Sequence, residues 1–137
     1  MVNLIIATHG LLGAEMLHSA SLVTGPIEHC ESWGLNPGED LEQKGKELLA
    51  AIQRLTSQDG IFIFTDILGG TPANLSLKYS KGRKIKVFAG VNLSMVLSFL
   101  EHRNDSFEEA AMHCMKDGQT GILAISDLLQ ERRENYG

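Results

Sequence analysis

Apolar residues follow two rhythms along this chain. Val2 to Ala7 is a continuous apolar run broken only by Asn3, and Ile61 to Phe64 is unbroken. Such runs suit strands buried on both faces of a parallel sheet. Ile85 to Ala89, interrupted by Lys86, reads as a strand nearer an edge, and Ile27 to Trp33 as a more polar one. Ile122 to Ile125 predicts a last strand. Between these runs the period lengthens. Leu12, Met16, Ala20 and Val23 share a helical face that ends at Gly25-Pro26. Leu41, Leu48, Ile52 and Leu55 repeat the pattern after Pro37-Gly38, where Asp40 with Gln43 resembles a capping box. Thr71-Pro72 predicts an N-cap followed by proline, opening a helix through Tyr79. Met95 to Leu100 predicts a short helix. Ser106-x-x-Glu109 caps another that turns Phe107, Ala110, Ala111 and Cys114 inward, and Asp127 to Gly137 reads as a charged tail.

Strand and helix therefore alternate with short connections. The expected fold class is α/β: a doubly wound, mostly parallel sheet of about four or five strands in flavodoxin-like order, with helices on both faces. No repeat, linker or low-complexity stretch divides the sequence, so residues 1–137 are expected to form a single domain.

Composition narrows the function. Of 137 residues, 43% are hydrophobic and 21% charged, as in an ordinary globular protein. The net charge of −5 argues against nucleic-acid binding, which needs clustered lysine and arginine. Lys78 through Lys86 is the one such cluster, short and mixed, and reads as a solvated loop. No apolar run is long enough to span a bilayer, and the N-terminus lacks a signal peptide's basic segment and cleavage site. A cytoplasmic location is expected. Cys30 and Cys114 stand in no metal-binding or redox spacing and are expected to be buried, reduced thiols.

In open α/β sheets ligands bind beyond the carboxyl ends of strands, where strand order reverses. For flavodoxin-like order that point lies between the first and third strands, whose carboxyl ends run into Thr8-His9-Gly10 and Thr65-Asp66. A carboxylate accepting from Nδ1–H of an imidazole fixes the tautomer, leaves Nε2 as a nucleophile and balances the cationic ring that forms on attack. His9 and Asp66 are thus the candidate catalytic pair. Gly10 and Leu11 open the first helix, and Gly69-Gly70-Thr71 opens another beyond Asp66. Free backbone N–H groups, positive dipole ends and the Thr71 hydroxyl make these five residues the candidate phosphate-binding set. Phosphoryl transfer rests mainly on positioning and on donors aimed at the equatorial oxygens. No metal ligand set is legible and no cofactor is expected. Taken singly, each piece has a plainer reading: His9 as a turn residue, Asp66 as a helix cap, the glycines as a turn. His18, His29, His102 and His113 have no partner legible in the sequence and read as structural or solvated. Ala89-Gly90-Val91-Asn92, at a strand end, is placed to line the same crevice.

Three segments together resemble the mannose-type IIA domains of the sugar phosphotransferase system. They are Ala7-Thr8-His9-Gly10, then Phe64-Thr65-Asp66 with Gly69-Gly70-Thr71-Pro72-Ala73-Asn74, then Ala89-Gly90-Val91-Asn92-Leu93 with Met95. They fall in the family's order over nearly the whole chain; a frequent proline before Met95 is Ser94 here. The resemblance implies a phosphotransferase working through phosphohistidine. His9 would accept phosphate from HPr and pass it to a IIB component, which serves membrane IIC and IID subunits. Asp66 matches the orienting aspartate and Thr71 a hydroxyl residue near the phosphate. It also implies a homodimer in which the late strand near Ile122 to Ile125 is open to exchange between subunits. A free-standing IIA protein is expected, since the chain ends soon after that strand. The sugar is not legible, because specificity in the family lies mainly in the membrane subunits.

Other readings remain: a regulatory phosphohistidine relay related to dihydroxyacetone kinase subunits, a non-catalytic flavodoxin-like binding module, and a phosphohistidine hydrolase. Flavodoxin, receiver and dinucleotide motifs are absent after the first strand. The hydrolase ranks low because no arginine lies near His9 or Asp66 in sequence to clamp a small phosphorylated substrate.

Overall fold

The computed structural model describes residues 1–136, with side chains through Arg133. Four strands, β1 (Asn3–His9), β2 (Cys30–Leu35), β3 (Ile61–Thr65) and β4 (Ile85–Phe88), form one sheet. All pairs are parallel, in the order β2-β1-β3-β4. That is the flavodoxin-like order expected from the sequence. Six helices accompany them: α1 (Leu12–Thr24), α2 (Leu41–Leu55), α3 (Thr71–Ser80), α4 (Leu93–His102), α5 (Phe107–Thr120) and α6 (Ile125–Tyr136).

Because side chains alternate across a strand, the apolar runs feed two cores. Leu4, Ile6, Phe62, Phe64 and Phe88 pack on one face against Ala20 of α1, Met95, Val96 and Phe99 of α4, and Ala110, Ala111 and Cys114 of α5. Ile5, Ala7, Ile61 and Ile63 pack on the other against Leu48, Ile52 and Leu55 of α2, with Leu75 and Tyr79 of α3 at the margin. Edge-to-face contacts tie the first core together: Phe62 and Phe64 lie 5.1 and 5.2 Å from Phe88, centroid to centroid. Asn3, the one polar residue in the Val2–Ala7 run, is buried and donates its amide to the Leu55 carbonyl at 2.7 Å.

Helix ends follow local chemistry. Asp40, Asn92 and Ser106 cap α2, α4 and α5 by accepting from Glu42, Met95 and Glu109 N–H groups. Gly25, at φ 91°, ends α1. Burial pushes the Cys114 thiol up to about 12, with Asp117 adding to the effect, so it is inert as a nucleophile. Burial also raises Cys30, against the opposing pull of Arg103.

Four sequence expectations need correction. Ile122 to Ile125 is not a strand: residues 122–124 are irregular and Ile125 begins α6. The sheet ends at β2 and β4, and the segment pairs with neither strand, so its apolar β-branched pattern forms no ladder. The charged tail from Asp127 is helical through Tyr136, and Gly137 lies outside the described residues. Thr71 is the first helical residue of α3 rather than its cap, the cap being Gly70. Leu12, Val23 and Leu41 belong to no core and are 45%, 66% and 50% exposed. They sit at helix ends, where the stripe runs past the sheet.

At the amino-terminal end of the sheet, buried Arg103 gathers two chain segments. Its guanidinium donates to the carbonyls of Val2, Glu28 and His29, and its own carbonyl accepts from Val2 N–H at 2.8 Å. Replacing it by Leu leaves those carbonyls without a donor. Arg103→Leu is expected to lower stability by about 3 kcal/mol, measured by urea denaturation. A change within experimental error would show that these bonds are replaced by water.

Candidate functional site

β1 and β3 lie side by side, and their last residues deliver the two candidate groups to one place. Ala7 pairs with Thr65, so His9 and Asp66 emerge from adjacent strand ends. Two buried hydroxyls anchor the exits. Thr8 Oγ1 accepts from Gly13 N–H at 2.9 Å, holding the start of α1 to β1, and Thr65 Oγ1 donates to the Phe88 carbonyl at 2.7 Å.

One carboxylate oxygen of Asp66 then meets His9 twice. Oδ2 accepts the His9 backbone N–H at 2.9 Å and lies 2.8 Å from His9 Nδ1. Oδ1 accepts from Ile67 N–H at 3.0 Å. With its carboxylate charged, Asp66 requires a proton on Nδ1 to make that contact. Nε2 makes no hydrogen bond among the described residues. The His9 side chain is 52% exposed and that of Asp66 only 14%. Burial pushes the Asp66 carboxyl up, but hydrogen bonds from the His9 backbone and ring outweigh it. The net position is below the usual carboxylate range.

Close backbone approaches define the rest. A Cβ on Gly70 would stand 2.9 Å from His9 Cε1 and 3.6 Å from Nε2, so the cap of α3 lies against the ring edge. A Cβ on Gly34 would come within 2.1 Å of the Gly10 carbonyl, so the end of β2 requires glycine where the loop after His9 passes. Gly70 has no side chain to cap α3, and Pro72 lacks an N–H. The Thr71 and Ala73 N–H groups remain in the first turn, without intrahelical acceptors. Gly70 thus stands against His9, with Thr71 directly after it, while a Cβ on Gly69 would meet nothing within 4 Å. Gly10 donates to the Leu35 carbonyl at 2.8 Å, so its amide is already used. Leu11 caps α1 through its backbone and exposes its side chain. Gly90 and Val91 meet the end of β3 through their backbone, their N–H groups donating to the Asp66 and Thr65 carbonyls at 3.2 and 3.0 Å.

The rim was not foreseen. Leu11, Ile67 and Leu68 are 69%, 59% and 82% exposed around the site. Three apolar residues flanking the glycines carried that signal in the sequence. Also unforeseen is the grouping of His102 and His113, which reads from sequence as two solvated residues and in space is a stacked pair.

A four-stranded parallel sheet with a carboxylate-oriented histidine at the reversal of strand order defines a flavodoxin-like α/β protein. Comparison gives the family. The EIIA-man family model, described as "PTS system fructose IIA component", matches residues 3–127, and the chain belongs to that family. It is 28% identical over 127 residues to the "PTS system mannose-specific EIIAB component" of Escherichia coli (strain K12), covering 90% of this chain and 39% of that protein. The chain thus spans well under half the length of such curated relatives. Among solved structures, the phosphotransferase system component EIIA from Streptococcus agalactiae aligns with TM-score 0.79 and 28% identity, covering 93% of this chain and 99% of that one. The mannose/sorbose specific IIA subunit from Enterococcus faecalis shares the fold at TM-score 0.81 and 22% identity, over 90% of this chain and 93% of that one. Members of the family are components of the sugar phosphotransferase system and are phosphotransferases. No described helix is long and apolar enough to cross a membrane.

A carboxyl held below its usual range contributes stability that is fully present above its unfolded pKa and is lost as pH falls through the folded value. The stability gap between wild type and Asp66→Asn is therefore expected to be widest above about pH 5 and to narrow on acidification. Urea midpoints from pH 6 to 3 would measure it; a gap that does not change with pH would remove the ionised contact.

Proposed function

We propose that His9 is the phosphoryl-accepting nucleophile of a sugar phosphotransferase relay, taking phosphate from phospho-HPr and passing it to a IIB component that serves the membrane IIC and IID subunits. Residues 1–137 act as one cytoplasmic IIA domain. The observation that carries this is the 2.8 Å contact of His9 Nδ1 with Asp66, which leaves Nε2 turned outward beside the start of α3.

Attack by the Nε2 lone pair forms the new N–P bond while the donor's N–P bond breaks. The ring becomes cationic, and the ionised Asp66 is already in place to balance it. The Thr71 and Ala73 N–H groups and the Thr71 hydroxyl supply donors for the phosphoryl oxygens, aided by the positive end of α3. Gly10 N–H is already bonded to the Leu35 carbonyl, so of that pair Leu11, at the start of α1, is the proposed backbone donor. The exposed ring and the apolar rim of Leu11, Ile67 and Leu68 suit delivery from one protein to another better than enclosure of a small substrate.

His9→Ala is expected to abolish phosphate acceptance. Asp66→Asn is expected to slow it by about 10²-fold or more while the chain stays folded. Incubation with enzyme I, HPr and phosphoenolpyruvate, and then intact mass and peptide mapping, reads both. Acid-labile phosphate on another residue, or an Asp66→Ala variant phosphorylated at the wild-type rate, would sink the mechanism.

The same reading makes the protein a homodimer. Its support is the apolar surface left open at the carboxyl end: Ile122, Leu123, Ile125, Leu128 and Leu129 are 79%, 63%, 66%, 41% and 48% exposed. Sedimentation at micromolar concentration is expected to give twice the chain mass, and a monomer there would count against the assembly.

A further inference from the structure

We propose that α4 and α5 build a divalent transition-metal site away from His9, with His102, His113 and Asp117 as ligands. One ligand atom from each of the three lies within 4.8 Å of the others. The spacing explains the convergence. His113 and Asp117 stand one turn apart on the same face of α5, and His102 ends α4, the helix packed against it. The two imidazoles face each other with centroids 3.7 Å apart and planes within 6°.

The groups around these three side chains form the arrangement that supports metal ligands elsewhere. His102 Nδ1 lies 3.0 Å from Asp105 Oδ2, and Ser98 Oγ donates to Asp117 Oδ2 at 2.6 Å. A ligating histidine is commonly held through its other nitrogen by a carboxylate, and a ligating carboxylate by a donor of its own. The plain alternative is a pair of surface histidines steadied by Asp105. That reading leaves unexplained why a third donor, also held in place, joins them. The local charge favours a cation as well, since Glu101 Oε2 stands 3.9 Å from His102 Nε2 and Asp105 Oδ2 4.0 Å from His113 Nε2.

The donor set selects the ion. Two imidazoles and one carboxylate suit zinc, copper(II) or nickel, whereas calcium and magnesium require oxygen ligands. Tetrahedral zinc, with bonds of about 2.0–2.1 Å, needs donors roughly 3.3 Å apart. The rings must therefore lean from parallel stacking toward convergence, a side-chain adjustment at helix surfaces. The His102 and His113 side chains are 22% and 41% exposed, so an ion can reach them. The site owes nothing to the role given to His9.

Calorimetric titration of the full chain with zinc chloride is the test. The expected result is one ion per chain at micromolar affinity with a raised Tm, and no displacement by magnesium. His102→Ala and His113→Ala should each weaken binding at least tenfold, with far-UV circular dichroism confirming the fold. His9→Ala should leave the affinity unchanged. On the unaltered protein, zinc should shift the ring nitrogen resonances of His102 and His113 and spare those of His18. Binding that survives His113→Ala, binding that disappears in His9→Ala, or no binding at all would each overturn the proposal.

Discussion

At the carboxyl end of the sheet, the placement of His9 depends on one oxygen atom. Asp66 Oδ2 holds both the backbone N–H and the ring of His9, so a single acceptor fixes where the chain leaves β1 and how the imidazole is turned. A carboxylate that bonded only the ring would leave the loop free. One that bonded only the backbone would leave the tautomer unset. Both contacts arise from the parallel register that sets Ala7 opposite Thr65, because it delivers the next residues of the two strands to the same crevice. The buried hydroxyls of Thr8 and Thr65 then secure each strand to its neighbouring element, so the geometry is not left to two flexible loops.

That constraint propagates into the choice of glycines. With the His9 ring held toward Asp66, its other edge falls against the α3 cap, and a Cβ on Gly70 would stand 2.9 Å from Cε1. A side chain there would press on the ring and compete with the carboxylate for its orientation. On the other side the path of Gly10 leaves no room for a Cβ on Gly34. Close approach thus calls for glycine at positions 70 and 34, whereas Gly10 and Gly69 sit at positive φ. The arrangement also leaves the ring half open, as the role proposed for His9 requires. Deep burial would favour holding the phosphoryl group over passing it on.

The pairing of β1 with β3 and the meeting of His9 with Asp66 were legible in the sequence for the same reason. Val2–Ala7 and Ile61–Phe64 are long apolar runs, and the rule for strand-order reversal brings the residues at their carboxyl ends together. Local patterning did less well where the outcome is decided elsewhere. Ile122 to Ile125 has the composition of a strand, but a strand exists only with a partner edge, and here the segment leads into α6 instead. Thr71 has the chemistry of an N-cap, yet Gly70 takes that position and Thr71 enters the first turn. His102 and His113 lie on different helices, and their stacking depends on how α4 and α5 pack, which their spacing along the chain does not encode. The 28% identity to the Escherichia coli protein and the family match of residues 3–127 identify the scaffold, while the site geometry comes from this chain's own contacts.

The two ends of the sheet are built to different requirements. At the carboxyl end the residues that matter are oriented but accessible, since Asp66 is largely buried beneath a ring that is half exposed. At the amino end Arg103 buries its guanidinium among three carbonyls, and the adjoining His102 meets α5 through a stacked partner. The strands between them span roughly 20 Å of fully packed core. A perturbation at one end reaches the other only if it shifts that core as a whole, and interiors packed at this density resist small displacements. An ion tying α4 to α5 would therefore stiffen the hairpin locally and leave the His9–Asp66 pair as it is. Coupling between them would need a second arrangement of α4, whose amino end is pinned near the crevice by the Asn92 cap and by the Val91 N–H bond to the Thr65 carbonyl.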